Sequence, residues 1–373
     1  MIGSIRLAPR GGRGLTQRVV RLLLLLLGVA QAGCAGVAPP APTPQGHAQV
    51  YLDRGQALIA RGEMAAAVSA LREALRREPD LIQARTSLGL ALYGLGDLDA
   101  AVEELRATLR RQPDALTARL TLAAALVAKQ DWAAARVELE HVLSAQPDLG
   151  QAHYSLGVVR YARGDLDGAI EEFRRVLAGD PHHQDARYNL ALMLRLAQRD
   201  AEATPEFLVA AQAGHARAQY FTGTAYAAGL GVERDLTTAI AWWFLAAEQG
   251  VTQADEALAQ LRQVALGRGR RATADRATVE QAFRDYRAAL WRDFPGLAAN
   301  GDDTVGGALL RKGRVREAVP VLIREASALS DPAERLLERL YEQGVEGLLP
   351  AHDARILGYF DRAAAEGLRS PVR

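Results

Sequence analysis

The sequence predicts an all-α fold, a solenoid of antiparallel helix pairs stacked one on the next. Three observations carry this expectation. Pro79, Pro113, Pro147 and Pro181 are spaced 34 residues apart, each in a similar frame: REPD, RQPD, AQPD and GDPH. A fixed period of that size marks a supersecondary unit repeated along the chain. Between the prolines, apolar residues recur at three- and four-residue steps, the period of a helix and not of a strand. Alanine is abundant and aromatic residues make up only 6%. That balance suits closely packed helices better than strands, which favour β-branched and aromatic side chains.

In chain order, residues 1–33 come first and carry Arg6, Arg10, Arg13, Arg18 and Arg21 ahead of a strongly apolar run from Leu22 to Ala30. Basic residues, a short apolar run and then small residues make the pattern of an export signal. The run is about nine residues, whereas a membrane-spanning helix needs about 20. Ala32-Gly33-Cys34 then resembles the lipobox of bacterial lipoproteins, although Gln31 stands where that family usually has leucine. The resemblance implies cleavage before Cys34, a lipid on its sulfur, and, with Ala35 next, an address at the periplasmic face of the outer membrane. The alternative is an ordinary secretory signal cut near Ala32, which leaves Cys34 a free thiol in a soluble periplasmic protein. Residues 34–47 read as a spacer, with APPAPTPQG (38–46) extended and stiffened by proline.

Residues 48–214 hold the repeats. The first offers Gly55, Ala67, Leu71, Ala74 and Pro79, and the second Leu88, Gly89, Leu92, Ala101, Leu105 and Pro113. The third has Leu122, Ala123, Leu126, Ala135, Leu139 and Pro147, and the fourth Leu156, Gly157, Ala169, Phe173 and Pro181. A fifth begins with Leu190, Ala191 and Leu194 and lacks the terminal proline. The small residue lets the first helix approach the second, the later alanine lets the second approach the next repeat, and proline ends it. RGEM, LGDL, KQDW and RGDL, starting at 61, 95, 129 and 163, are the turns within each pair. These positions resemble the tetratricopeptide repeat, which implies a right-handed α-solenoid of about five repeats.

From Ala216 the spacing changes. Ala218, Gly223, Tyr226, Gly229, Gly231, Val232, Asp235, Ala239, Trp242, Ala246, Ala247 and Gly250 resemble a Sel1-like repeat, a relative with a longer glycine-bearing loop. Residues 215–266 are assigned to this repeat and a following helix, with Asp235 capping the second helix and the Trp242 ring filling its packing face. Residues 267–305 form an irregular connector. In it GRGRR (267–271) is a basic turn, 275–294 an amphipathic helix with Phe283, Tyr286, Leu290 and Phe294 on one face, and FPGLAANGDD (294–303) a boundary loop. Residues 306–373 are a degenerate block. RKGRVREAVPVLIREA (311–326) reads as a turn and one helix, and Tyr341, Gly344, Gly347, Asp353, Tyr359, Ala363, Ala364 and Gly367 as a weaker Sel1-like copy.

The chain has 45 basic and 44 acidic side chains, but the first acid is Asp53, so residues 34–373 carry about −4. That balance implies no nucleic-acid surface. A single cysteine excludes an intrachain disulfide and any CxxC motif. The sequence holds no HExxH, GxSxG, GxxxxGK[ST] or EF-hand loop. His182-His183, flanked by Asp180 and Asp185, is the one tempting metal cluster. Adjacent side chains point apart while a catalytic metal wants three convergent ligands, so a polar turn is the better reading. No cofactor, metal, catalytic residue or small-molecule substrate is expected. An enzyme with a site in 255–305 is the remaining alternative, and needs convergent titratable groups in a pocket there.

The resemblance to tetratricopeptide proteins implies a concave groove lined by first-helix residues. These are Leu52, Gln56 and Ile59; Thr86, Leu90 and Tyr93; Leu120, Ala124 and Val127; Tyr154, Val158 and Tyr161; Tyr188 and Asn189. The partner-groove residues singled out are Tyr93, Leu120, Tyr154, Val158, Tyr161, Tyr188 and Asn189. Steps of four and three keep each set on one face. The lining suits an extended or helical protein segment and lacks the Lys and Asn clamp by which some such proteins hold a C-terminal carboxylate. The alternative is that the chain's own C-terminal block covers the groove. The expected function is a non-catalytic scaffold of the bacterial envelope, and the resemblance to tetratricopeptide and Sel1-like lipoproteins implies service in assembly of a pilus secretin or exopolysaccharide export complex. A peptidoglycan-associated adaptor for cell-wall enzymes is the alternative.

Overall fold

The chain folds as helix after helix, and the pairs repeat at the 34-residue period of the prolines. The computed structural model describes residues 44–267, 276–297 and 303–368. The signal-like segment, Cys34 and most of the GRGRR turn lie outside the described residues. Among the described residues the only strand-like feature is an isolated bridge between Val345 and Leu349, and no helix is long and apolar enough to cross a membrane. Two compact units divide between Ala186 and Arg187.

The first unit holds four helix pairs: α1 (Pro44–Ala60) with α2 (Met64–Arg77), α3 (Ile82–Leu95) with α4 (Leu98–Arg111), α5 (Leu116–Ala128) with α6 (Trp132–Ala145), and α7 (Gly150–Ala162) with α8 (Leu166–Gly179). Each helix packs on the next along the chain, and each first helix also packs on the first helix of the following pair. The small-residue positions do what their spacing predicts. A Cβ added to Gly55, Gly89 or Gly157 would lie 2.5, 2.5 or 3.0 Å from Leu71, Leu105 or Phe173 of the partner helix. Close approach is therefore built into the backbone, and each fully buried Leu or Phe adds about 1.5–3 kcal/mol.

The turns are as regular as the cores. Gly62, Gly96 and Gly164 take positive φ between the paired helices, and in the third repeat Gln130 does so at 62°. The next residue caps the second helix: Asp97, Asp131 and Asp165 accept from the amides of Ala100, Ala134 and Gly168 at 3.4, 3.2 and 2.8 Å. These bonds satisfy donors that the first helical turn leaves open.

The second unit contains most of α9 (Gln184–Leu196), then α10 (Asp200–Gln212), α11 (Ala216–Ala228), α12 (Leu236–Glu248), α13 (Thr252–Ala265) and α14 (Arg276–Leu290). A short 3-10 turn (Trp291–Asp293) leads to α15 (Val305–Arg311), α16 (Val315–Ser327), α17 (Asp331–Gln343) and α18 (Ala354–Ala365). Between α11 and α12, Gly229 and Gly231 take positive φ, and Asp235 accepts from the amides of Thr237 and Thr238 at 2.9 and 3.1 Å. The expected cap is in place. Between α17 and α18 the pattern recurs, with Gly344 and Gly347 at positive φ and Asp353 accepting from the Arg355 amide at 3.0 Å.

Four expectations are corrected. Pro44–Gly46, the end of the expected extended spacer, is already helical, with Pro44 at the start of α1 where its missing N–H matters least. Trp243, not Trp242, fills the packing face of α12. Its ring lies 2.7 Å from where a Cβ on Gly223 would sit, and its Nε1 donates to the Tyr220 carbonyl at 3.2 Å, whereas Trp242 is half-buried. The loop beginning at Phe294 is no boundary between helical blocks, because one apolar cluster runs across it from Leu236 through Phe283, Tyr286 and Leu290 to Ala328. Finally, the turn-and-helix at 311–326 has a first helix after all. In α15 a Cβ on Gly306 would lie 2.3 Å from Leu322 Cγ. The 16-residue step from Gly306 to Leu322 is the step from Gly55 to Leu71, from Gly89 to Leu105 and from Gly157 to Phe173.

Candidate partner-binding groove

A recurring polar clamp fixes the first helices whose faces make the groove. Arg85 donates through Nη2 to the Pro79 carbonyl at 2.8 Å and through Nη1 to Glu104 at 2.8 Å. Arg119 repeats this with Pro113 at 2.6 Å and Glu138 at 2.5 Å. In the fourth repeat His153 stands at the same register, its Nε2 2.6 Å from the Pro147 carbonyl and its Nδ1 2.5 Å from Glu172. Arg187, one period further on, pairs with Glu206 at 2.5 Å. The clamp ties the carbonyl of the repeat-ending proline to the second helix of the next repeat. Proline thus ends one helix and also supplies the acceptor that orients the following one.

Beside the clamp on these helices, the expected lining divides in two. Gln56, Thr86, Ala124, Val127, Tyr154, Val158 and Tyr161 are half-buried and present a face to solvent in the first unit. Leu52, Ile59, Leu90, Tyr93 and Leu120 are buried. Of the singled-out residues, Tyr93 at 3% and Leu120 at 4% exposure are therefore not available to a partner. Successive first helices pack on one another, so the residues nearest that seam are consumed by it. Burial pushes the Tyr93 phenol up to about 12. None of the seven half-buried residues that remain open in the first unit is charged.

Tyr154 anchors the open face. Its ring meets Phe173 edge-on at 5.6 Å and stacks on His183 at 5.4 Å. His183 also caps α9, its Nδ1 accepting from the Ala186 amide at 3.2 Å. His183 of the tempting pair is thus a helix cap and a ring contact, and the described residues include no group of three side chains that could hold a metal ion. In the second unit Tyr188 and Asn189 are half-buried. Tyr188 stacks on His215 at 4.4 Å, and His215 caps α11 by accepting from the Ala218 amide at 3.1 Å.

The sequence reading passed over Tyr220, Phe221 and Arg195. Phe221 lies 6.1 Å from Tyr188 and 5.1 Å from Phe207, and the Arg195 guanidinium sits 5.2 Å over the Phe221 ring. The signal was present in the repeated Ala-x-Tyr of three first helices: Ala152 to Tyr154, Ala186 to Tyr188 and Ala218 to Tyr220. From the stretch 255–305, Asp255 and Arg262 meet Glu248, Arg324, Arg362 and Glu366 in a cavity of about 310 Å³ in the second unit.

Tetratricopeptide-repeat family models match residues 48–81, 86–149, 120–183 and 154–214. No curated protein sequence matches the chain. Among solved structures, MamA 41-end from Desulfovibrio magneticus RS-1 is 25% identical, with 46% of this chain and 95% of that chain covered and a TM-score of 0.43. MamA AMB-1 is 26% identical, with 44% and 89% covered and a TM-score of 0.40. The period, the Gly-on-Leu contacts and the matched models agree on one conclusion: residues 48–214 are a run of tetratricopeptide repeats, the architecture of a protein-interaction scaffold.

Proposed function

We propose that the chain is a non-catalytic protein-binding scaffold of the bacterial envelope, tethered through a lipid on Cys34 to the periplasmic face of the outer membrane. In this reading it assists assembly of an envelope complex of the pilus secretin or exopolysaccharide export type. The observation that carries it is the uncharged, tyrosine-bearing face of Gln56, Thr86, Ala124, Val127, Tyr154, Val158 and Tyr161 along four stacked repeats. A repeat array contacts only its neighbours and leaves a long face open, which is the shape proteins use to hold an extended or helical segment. Rigid tyrosines supply contact area at low entropic loss. The block from Ala216 to Gly250, with its glycine loop and Asp235 cap, is assigned to the Sel1-like type.

Crosslinking the full chain in its native envelope, followed by identification of the attached protein, tests the role. The expected partner is a component of an assembly machine, and Tyr154→Ala with Tyr161→Ala, both on the open face of the first unit, abolishes the crosslink while helicity by circular dichroism is kept. A crosslink unchanged in that double variant would overturn the groove. The anchor is tested separately, since Cys34→Ser should move the chain from the membrane to the soluble fraction. Continued sedimentation with membranes would contradict the lipid tether.

A further inference from the structure

The cavity of about 310 Å³ in the second unit has the size of a small-molecule site. Helices α12, α13, α16 and α18 each contribute to its wall, and Phe244, Leu258 and Tyr359 give it an apolar, well-buried floor. Arg262 lines it at only 6% exposure. Its Nε and Nη2 donate to the two Glu366 carboxylate oxygens at 2.6 Å each, and its Nη1 to the Ser327 carbonyl at 3.3 Å. A guanidinium has five N–H groups, so two find no acceptor among the described residues, on a side chain almost wholly removed from water. Unused donors in such a place are costly unless something accepts from them.

Two further charges border the same space. The side chains of Asp255 and Arg362 make no hydrogen bond or ion pair within the described residues. Partial desolvation on the cavity side holds the Asp255 carboxyl above its ordinary value, against the opposing pull of Arg362 and Arg262. The remaining pair, Glu248 with Arg324, is closed on itself by a double hydrogen bond. The wall therefore carries Arg262, Arg324 and Arg362 against Glu248, Asp255 and Glu366, a charge balance that does not favour a ligand of high net charge.

We propose that this cavity binds a small zwitterion, an α-amino acid or dipeptide with an apolar side chain. Its carboxylate meets Arg362 and the spare N–H groups of Arg262, its ammonium meets Asp255, and its side chain rests on Phe244, Leu258 and Tyr359. This goes beyond the scaffold role and departs from the sequence-based expectation that the chain takes no small molecule. A ligand so placed joins α13 to α18, in addition to the Arg262 to Glu366 bond.

The test is thermal melting and calorimetry of the full chain with L-leucine and L-alanyl-L-leucine, each up to about 10 mM, a range that detects even millimolar affinity. The matched half-molecules, 4-methylpentanoate without the ammonium and 3-methylbutylamine without the carboxylate, serve as controls. Binding by at least one zwitterion is expected, with at least about tenfold weaker binding of either half-molecule. Asp255→Asn and Arg362→Gln, both on exposed residues, should keep the ligand-free melting temperature and lose the ligand-induced shift. Tyr154→Ala, in the groove, should keep that shift, which separates failure of this site from failure of the scaffold reading. Absence of binding by both zwitterions, equal binding of a half-molecule, or an undiminished shift in both cavity variants would overturn the assignment.

Discussion

Gly231→Ala is expected to destabilise the second unit by about 3 kcal/mol, well above the usual effect of a loop substitution. Two penalties coincide at this residue. Its φ of +68° belongs to the region that residues with a Cβ avoid, and the added Cβ would lie 2.3 Å from the Asp200 backbone oxygen, at the start of α10. A backbone oxygen cannot rotate away as a side chain can. The loop is held against α10 from the other side as well, since Thr204 Oγ1 donates to the Leu230 carbonyl at 2.7 Å. The comparison is Gly62→Ala, where φ is +79° and nothing lies within 4 Å of the new Cβ. That variant bears the conformational strain alone, about 1 kcal/mol. Urea denaturation of both variants gives the two values, and equal losses would refute the contact as the cause.

The second large effect is expected at Glu172. Its side chain is 3% exposed and accepts from His153 Nδ1 at 2.5 Å and from Arg160 Nη2 at 3.2 Å. Glu172→Ala takes the carboxylate from between buried His153 and half-buried Arg160, which keeps Asp165 at 3.6 Å, and leaves His153 Nδ1 without a partner. Removing one member of a buried polar or ionic pair typically costs about 3 kcal/mol. The sister position Glu104 pairs with Arg85 where both side chains keep more than a fifth of their exposure. Glu104→Ala should therefore lose about 1 kcal/mol or less. The two residues share one register, so the difference isolates burial from position. Equal losses in urea melts would show that the fourth repeat's clamp is no more desolvated than the second.

What was legible in the sequence, and what was not, follows from the range of the interactions involved. The helix pairs of residues 48–181 could be read because local residues decide the boundaries: glycine or Gln130 at the turn, aspartate at the cap of the last three pairs, proline two residues after the helix. The Asp235 cap and the shared face of Phe283, Tyr286 and Leu290 could be read for the same reason. The burial of Tyr93 and Leu120 could not. First helices such as α3 and α5 are apolar nearly all round, and periodicity does not say which stripe a neighbouring helix covers. Trp242 and Trp243 differ by one residue, about 100° around the helix, and either could have faced Gly223. The helix Val305–Arg311 was hidden by Gly306 and Gly307, which lower helix propensity while permitting the close contact with Leu322. The zwitterion cavity depends on Arg262 meeting Glu366 across 104 residues, a separation at which no short motif speaks.

The clamp on the proline carbonyls has a consequence for how such a chain can lengthen or shorten. Arg119 reaches back six residues to Pro113 and forward nineteen to Glu138, the same offsets by which Arg85 finds Pro79 and Glu104. Excising residues 82–115 would bring Arg119 to the distance from Pro79 that Arg85 now has, with Glu138 unmoved relative to it. Duplication of the same 34-residue stretch would likewise insert a complete lock with both of its acceptors. An insertion or deletion that is not a whole number of periods, placed between Pro79 and Glu104 or between Pro113 and Glu138, would shift a guanidinium away from one of its acceptors. The hydrogen bonds at each seam act as a length gauge over those stretches, and they make whole repeats interchangeable while holding partial changes there to a penalty.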